Sequence, residues 1–196
     1  TAAREIGFPL ILKPVAGAGS ADTWRVDRPE ELDATLRRIG HLSEASCEEF
    51  IQGEEFTYET LCADGVPVYE SVCHYEPNTL IARQNEWISA IIQTVRDLRS
   101  PTVAPGIELG RAVIRTLGMG TGFTHMEWFR QPDGTPVFGE IACRPPGANM
   151  VDLMNYTEDL DLFRGWARLV CGQPLGEEVR RPWSAAIIFK RAIGQG

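Results

Sequence analysis

Apolar and polar positions change period several times along the chain, and the changes mark its elements. Ile107, Val113, Ile114 and Leu117 share one helical face, which predicts an amphipathic helix over 104–117. Residues 30–40 (EELDATLRRIG) form another helix, with Pro29 suited to its first turn and Gly40 to its end. Residues 9–13, 22–27, 45–51 and 184–190 read as strands. Helices are expected near 149–155 and 158–171, 77–87 reads as a loop, and 88–98 fits strand or helix. The opening TAAREIG reads as the tail of a helix. Strand pairs and helices follow one another without a regular βαβ rhythm, so the fold class is α+β.

Two hairpins stand out. Asp64-Gly65 joins 55–63 to 66–75, and Asp133-Gly134 joins the strands of a hairpin over 122–142. A two-residue turn in the first puts Glu59 opposite Glu70, which reads as a solvated face or, second to it, as another charged cluster. The same turn in the second puts Glu127 opposite Glu140 and Phe129 opposite Phe138. Carboxylates so placed have Cβ atoms about 5 Å apart and destabilise the pair. Their neighbours Met126, Trp128, Phe129, Val137, Phe138 and Ile141 are apolar, so the pair is expected to be at least half buried. Such a pair needs a proton or a bridging cation. A hard divalent ion completed by water and phosphate answers the need, and Mg²⁺ is the usual choice.

The 196 residues suffice for one domain or two small lobes. A net charge of −8 argues against nucleic acid as the main partner. No apolar run approaches the roughly 20 residues that span a bilayer, and no signal-peptide pattern opens the chain. Cys47, Cys62, Cys73, Cys143 and Cys171 never form a CxxC pair and are read as buried, reduced thiols, which points to the cytoplasm. Three scattered histidines make a zinc site unexpected. Both ends look cut, so the chain is read as part of a longer protein.

The loop PVAGAGSA (14–21) follows a strand, lacks the GxxxxGK[ST] pattern and leads into another strand, so it resembles a flap rather than a P-loop. Among 19 basic residues only Lys13 and Lys190 are lysines. Lys13 ends a buried strand beside that loop, where a compact ammonium suits a point contact with phosphate oxygens. Lys190 has no such loop before it and is left unassigned. In CEEFIQGEEF, acidic pairs flank Gly53 like a hinge, whose extended backbone can read an adenine edge. Arg144 lies one short loop after Glu140 and offers a planar cation.

Strand lysine with glycine flap, acidic hinge and paired acidic hairpin, in that order, resemble the ATP-grasp superfamily from GFPLILKP to about Leu175. The resemblance implies two α+β lobes holding ATP between them, and activation of a carboxylate as an acyl-phosphate that joins an amine or similar nucleophile. Residues 1–50 would form an incomplete smaller lobe, 51–180 the larger lobe, and 181–196 the start of a further segment. Lys13 would contact the ATP phosphates under a flap of Gly17, Ala18, Gly19 and Ser20. Glu48, Glu49 and Ile51 would line the adenine, and Glu55 would hold the ribose. Glu127 and Glu140 would bind Mg²⁺, and Arg144 would steady the transferring phosphate. Two features depart from the family. Its usual EINPR reads EIACR here, so Ala142 stands where an asparagine ligand is expected, leaving water or Asn149 to serve. The family's preceding domain, with a second phosphate-contacting lysine, has no counterpart in the sequence. An amino-acid or peptide ligase is the first expectation, with His74, Arg83, Trp87 and Arg96 in the region facing substrate. A core of the biotin carboxylase or carbamoyl-phosphate synthase type, a non-catalytic nucleotide-binding module and a plain structural domain are the alternatives.

Overall fold

The computed structural model describes residues 2–15 and 21–192, which form two antiparallel sheets and six helices. Helix α1 (Ala2–Ile6) precedes β1 (Leu10–Pro14), β2 (Trp24–Val26), α2 (Pro29–Arg38) and β3 (Ala45–Glu49). These strands make a three-stranded sheet in the order β2-β1-β3. Alternation along β1 turns Leu10 and Leu12 into a core with Val26, Ile39 and Leu32. Ile11 and Lys13 consequently lie on the opposite face. The flap residues Gly17, Ala18, Gly19 and Ser20 lie outside the described residues.

The larger sheet contains β4 (Glu54–Ala63), β5 (Val66–Glu76), β6 (Ile91–Thr94), β7 (Gly122–Arg130), β8 (Pro136–Ala142) and β9 (Ala186–Ile188), in the order β8-β7-β4-β5-β6-β9. Helix α3 (Thr79–Gln84) occupies the stretch expected to be a loop; Asn78 caps it by accepting from the Ile81 amide at 3.0 Å. Helix α4 (Ala104–Leu117) covers one sheet face, packing Ile107 and Ile114 on Phe56, Tyr58, Met126 and Trp128. Helices α5 (Met150–Glu158) and α6 (Leu162–Val170) cover part of the other, packing Met154 and Leu162 on Leu61, Tyr69 and Phe123. Gly106 and Gly110 let α4 approach closely: a Cβ there would stand 2.2 Å from Trp128 and Tyr58 respectively.

Both hairpins differ from a simple two-residue-turn register. Asp64 and Gly65 adopt positive φ as a type I′ turn requires, but a bulge beyond Cys62 pairs Thr60 with Glu70 and Glu59 with Ser71. The expected Glu59–Glu70 pair is therefore absent. Glu59 enters one face, wholly buried, while Glu70 turns to the other and pairs with Arg111 at 2.6 Å. In the β7–β8 hairpin, Gly134 has φ +89°, the Gln131 amide donates to Thr135, and Arg130 pairs with Pro136. The connection is thus a three-residue loop, which shifts the register by one and sets Trp128, not Phe129, opposite Phe138. A bulge at Gly139 restores it, and Glu127 faces Glu140.

Among the described residues no helix is long and apolar enough to cross a membrane. All five cysteines are unpaired, yet Cys143 and Cys171 are exposed, against the expectation of burial, because they follow the last turns of β8 and α6 rather than lying inside them.

Candidate functional site

The face of the larger sheet left open beside α5 and α6 meets the smaller sheet. Lys13 is the next-to-last residue of β1, on the face away from that strand's apolar core. Its ammonium lies 3.0 Å from Glu140 on β8 and 3.0 Å from Glu48 on β3. Burial works to lower the Lys13 pKa, but hydrogen bonds and charge from Glu140 and Glu48 outweigh it and hold the ammonium more firmly charged. Ser46 donates to Glu48 at 2.8 Å and fixes the side of that carboxylate away from the lysine.

Glu127 stands opposite Glu140 on one side and Thr57 on the other. The pair is less buried than its apolar neighbours predict. The Glu127 side chain is 28% exposed and that of Glu140 is 54% exposed, because β8 is an edge strand. Water can therefore reach the pair, and one ammonium already neutralises part of its charge. Two hard oxygen donors on adjacent strands fit a small divalent cation that keeps water or phosphate in its other positions. Among the described residues no three His, Cys, Asp or Glu side chains are grouped to hold a metal by themselves. Ala142 adds no donor, and Asn149 is an exposed residue in left-handed backbone at the start of α5.

Glu55 lies on the same sheet face and is buried. Its carboxylate accepts from the Thr79 amide at 2.7 Å and the Thr79 hydroxyl at 2.9 Å, tying β4 to α3. Burial, then the charge of Glu127, pushes its pKa up to about 7. Arg144 is not brought to the pair: its guanidinium donates to the neighbouring Pro145 carbonyl at 2.9 Å and is exposed. Glu49 pairs with Leu10 across β1 and β3, and Ile51 follows in the connection to β4.

One polar group of this face is not singled out by the sequence motifs. His125, almost buried, donates from Nδ1 to the wholly buried Glu59 at 2.8 Å, and its Nε2 lies 3.6 Å from Glu127. Burial works to lower its pKa, but the charges and hydrogen bonds of Glu59 and Glu127 raise it to about 10. The alternation His125-Met126-Glu127 places imidazole and carboxylate on one face and is visible in sequence. The Glu59 partner is not, because it depends on pairing between strands more than sixty residues apart.

No family model matches the chain. It is 28% identical over 169 residues to an L-arginine-specific L-amino acid ligase of Bacillus subtilis, covering 83% of this chain and 40% of that protein. Its backbone superposes on an L-amino acid ligase of Bacillus licheniformis with a TM-score of 0.68 at 21% identity, over 92% of this chain and 44% of the other. It superposes on carboxyaminoimidazole ribonucleotide synthase of Aspergillus clavatus, solved with ATP, with a TM-score of 0.75 at 15% identity, over 94% and 46%. The chain shares the α+β ATP-grasp fold of these structures. The expected α+β class is borne out. The chain spans less than half the length of each of these three proteins. Within the ATP-grasp fold described here, β1 of the smaller sheet and the β7–β8 hairpin of the larger face one another across the candidate site.

Proposed function

We propose that this chain is the nucleotide-binding part of an ADP-forming carboxylate–amine ligase, with an amino acid as the activated acid. The observation that carries the reading is Lys13 of one sheet at 3.0 Å from Glu140 of the other, with Glu127 directly opposite Glu140. A cation and two carboxylates from separate sheets suit a polyphosphate tail with its divalent ion. In this reading 1–50 and 51–180 act as the smaller and larger lobes. The likeness to an amino acid ligase at 28% identity supports the substrate class.

Lys13 would leave its carboxylate partners for the phosphate oxygens, with residues 17–20 closing over them. Glu48, Glu49 and Ile51 would border the base, the last two through backbone groups. Glu55 would face the ribose while keeping α3 in place. Magnesium held by Glu127 and Glu140 would supply charge neutralisation at the phosphates. Arg144 would swing from its own loop toward the transferring phosphate. Phosphoryl transfer to a carboxylate needs positioning and electrostatics rather than a side-chain nucleophile, which this set of residues can provide. The test is ADP release by the intact protein with Mg²⁺ and ATP against a panel of amino acids and other carboxylates. Release that depends on an amino acid supports the reading; release only with bicarbonate would favour a carboxylase, and none with any acid would favour a non-catalytic module.

A further inference from the structure

We propose that His125 is a positioning residue for Glu127, anchored by Glu59 and aiming the carboxylate at its cross-strand partner Glu140. The inference rests on the reading of Glu127 and Glu140 as magnesium ligands, and it assigns the part that holds one of them in place.

Register sets up the relay. Antiparallel pairing of β4 and β7 puts Glu59 opposite His125 and Thr57 opposite Glu127. Period two along β7 puts His125 and Glu127 on one face. Glu59 is wholly buried, so packing fixes its carboxylate. Its 2.8 Å hydrogen bond holds His125 Nδ1. The two ring nitrogens point apart on a rigid ring, so fixing Nδ1 determines where Nε2 is aimed, and it faces Glu127 Oε1 at 3.6 Å. Each carboxylate of the facing pair thus has its own nitrogen neighbour from outside the pair: Lys13 Nζ for Glu140 and His125 Nε2 for Glu127. A carboxylate with a fixed neighbour facing one oxygen at ion-pair distance has the other oxygen biased in direction, and loss of such outer partners typically weakens metal affinity about 10–100-fold.

His125 also donates a hydrogen bond to the buried Glu59 carboxylate, and a role confined to that purpose must be told apart. In H125N the amide can replace Nδ1 as donor to Glu59 but cannot reach Glu127. In E59Q/H125N the buried charge is removed as well, which restores folding if H125N alone is destabilised. Binding of Mn²⁺ in the presence of ADP, read by electron paramagnetic resonance, reports the metal site without turnover. E59Q/H125N is expected to melt close to the parent protein and to bind Mn²⁺ about 10–100-fold more weakly. Parental Mn²⁺ affinity in that variant would overturn the inference and leave His125 as a counter-ion to Glu59. E127Q is the separate control: if it too binds Mn²⁺ like the parent, the metal-site reading itself fails, and the inference with it.

Discussion

Lys13 Nζ and Glu140 Oε2 lie 3.0 Å apart although 127 positions separate them in the chain. Their side chains are 23% and 54% exposed, so the ion pair contributes at most about 1 kcal/mol to folding. Lys13→Met should therefore leave the melting temperature within about 4 °C of the parent. The same change should weaken ATP binding at least about tenfold, because a desolvated phosphate contact is lost. Parallel thermal melts and nucleotide titrations check both halves. Lys13→Arg is not expected to restore binding, since a planar fork does not replace a compact ammonium.

Gly139 carries the register of the carboxylate pair. A Cβ at this bulge would stand 2.8 Å from the Glu127 carbonyl oxygen. Gly139→Ala is expected to cost about 1–3 kcal/mol of stability as β8 shifts. It should also weaken the Mg²⁺ dependence of nucleotide binding, as Glu140 leaves its place opposite Glu127. Denaturant unfolding and a Mg²⁺ titration measure the two effects, and a variant with unchanged metal dependence would show that the bulge does not set the pair.

Helix α4 offers a test with an inverted sign. In an exposed helix, Gly→Ala stabilises by about 1 kcal/mol. At Gly106 and Gly110 the new methyl would meet the fully buried Trp128 and Tyr58 at 2.2 Å, and neither ring has room to retreat. Either substitution should destabilise by about 1–3 kcal/mol or more, seen as a lowered denaturation midpoint with an unchanged slope.

Stability should fall as pH rises. Burial pushes the Glu158 carboxyl up to about 7 from 4.5, with Tyr69 and Arg181 lowering it too little to compensate. The folded state therefore holds this proton more tightly than the unfolded chain. Its contribution is complete below pH 4.5 and is lost as pH rises through 7, a change of about 3 kcal/mol. His125 acts in the same direction at higher pH: raised to about 10 from 6.5, its contribution is complete below 6.5 and lost toward 10. Urea unfolding at pH 5 and pH 8 should show the parent losing stability and Glu158→Gln losing about 3 kcal/mol less. Equal losses in the two proteins would contradict the assignment.

Local chemistry made much of this fold legible. A lone strand-end lysine, Asp-Gly turns, Pro29 at a helix start and the 104–117 stripe each report a nearby constraint, and each appears in the structure near its expected place. Bulges are less local. The sequence GTPVFGE does not reveal that Gly139 absorbs a residue, and the expected Glu127–Glu140 pairing arises from a loop one residue longer than a type I′ turn, offset by that bulge. Its counterpart beyond Cys62 was equally hidden and separates Glu59 from Glu70. Glu55 shows another limit: its acidity is legible, but its attachment to Thr79 depends on α3, which forms where Pro77 and Asn78 read as a loop. Edge position is likewise invisible in a strand's own residues, which is why Glu140 is more exposed than its neighbours suggest.

The most direct test of the site is ATP titration of the intact protein with and without Mg²⁺, in the parent and in Glu140→Gln. The parent should bind ATP at least about tenfold more tightly with Mg²⁺, and the variant should lose that difference while remaining folded. Equal Mg²⁺ enhancement in both proteins would contradict a metal-bound nucleotide between Lys13 and the β7–β8 hairpin.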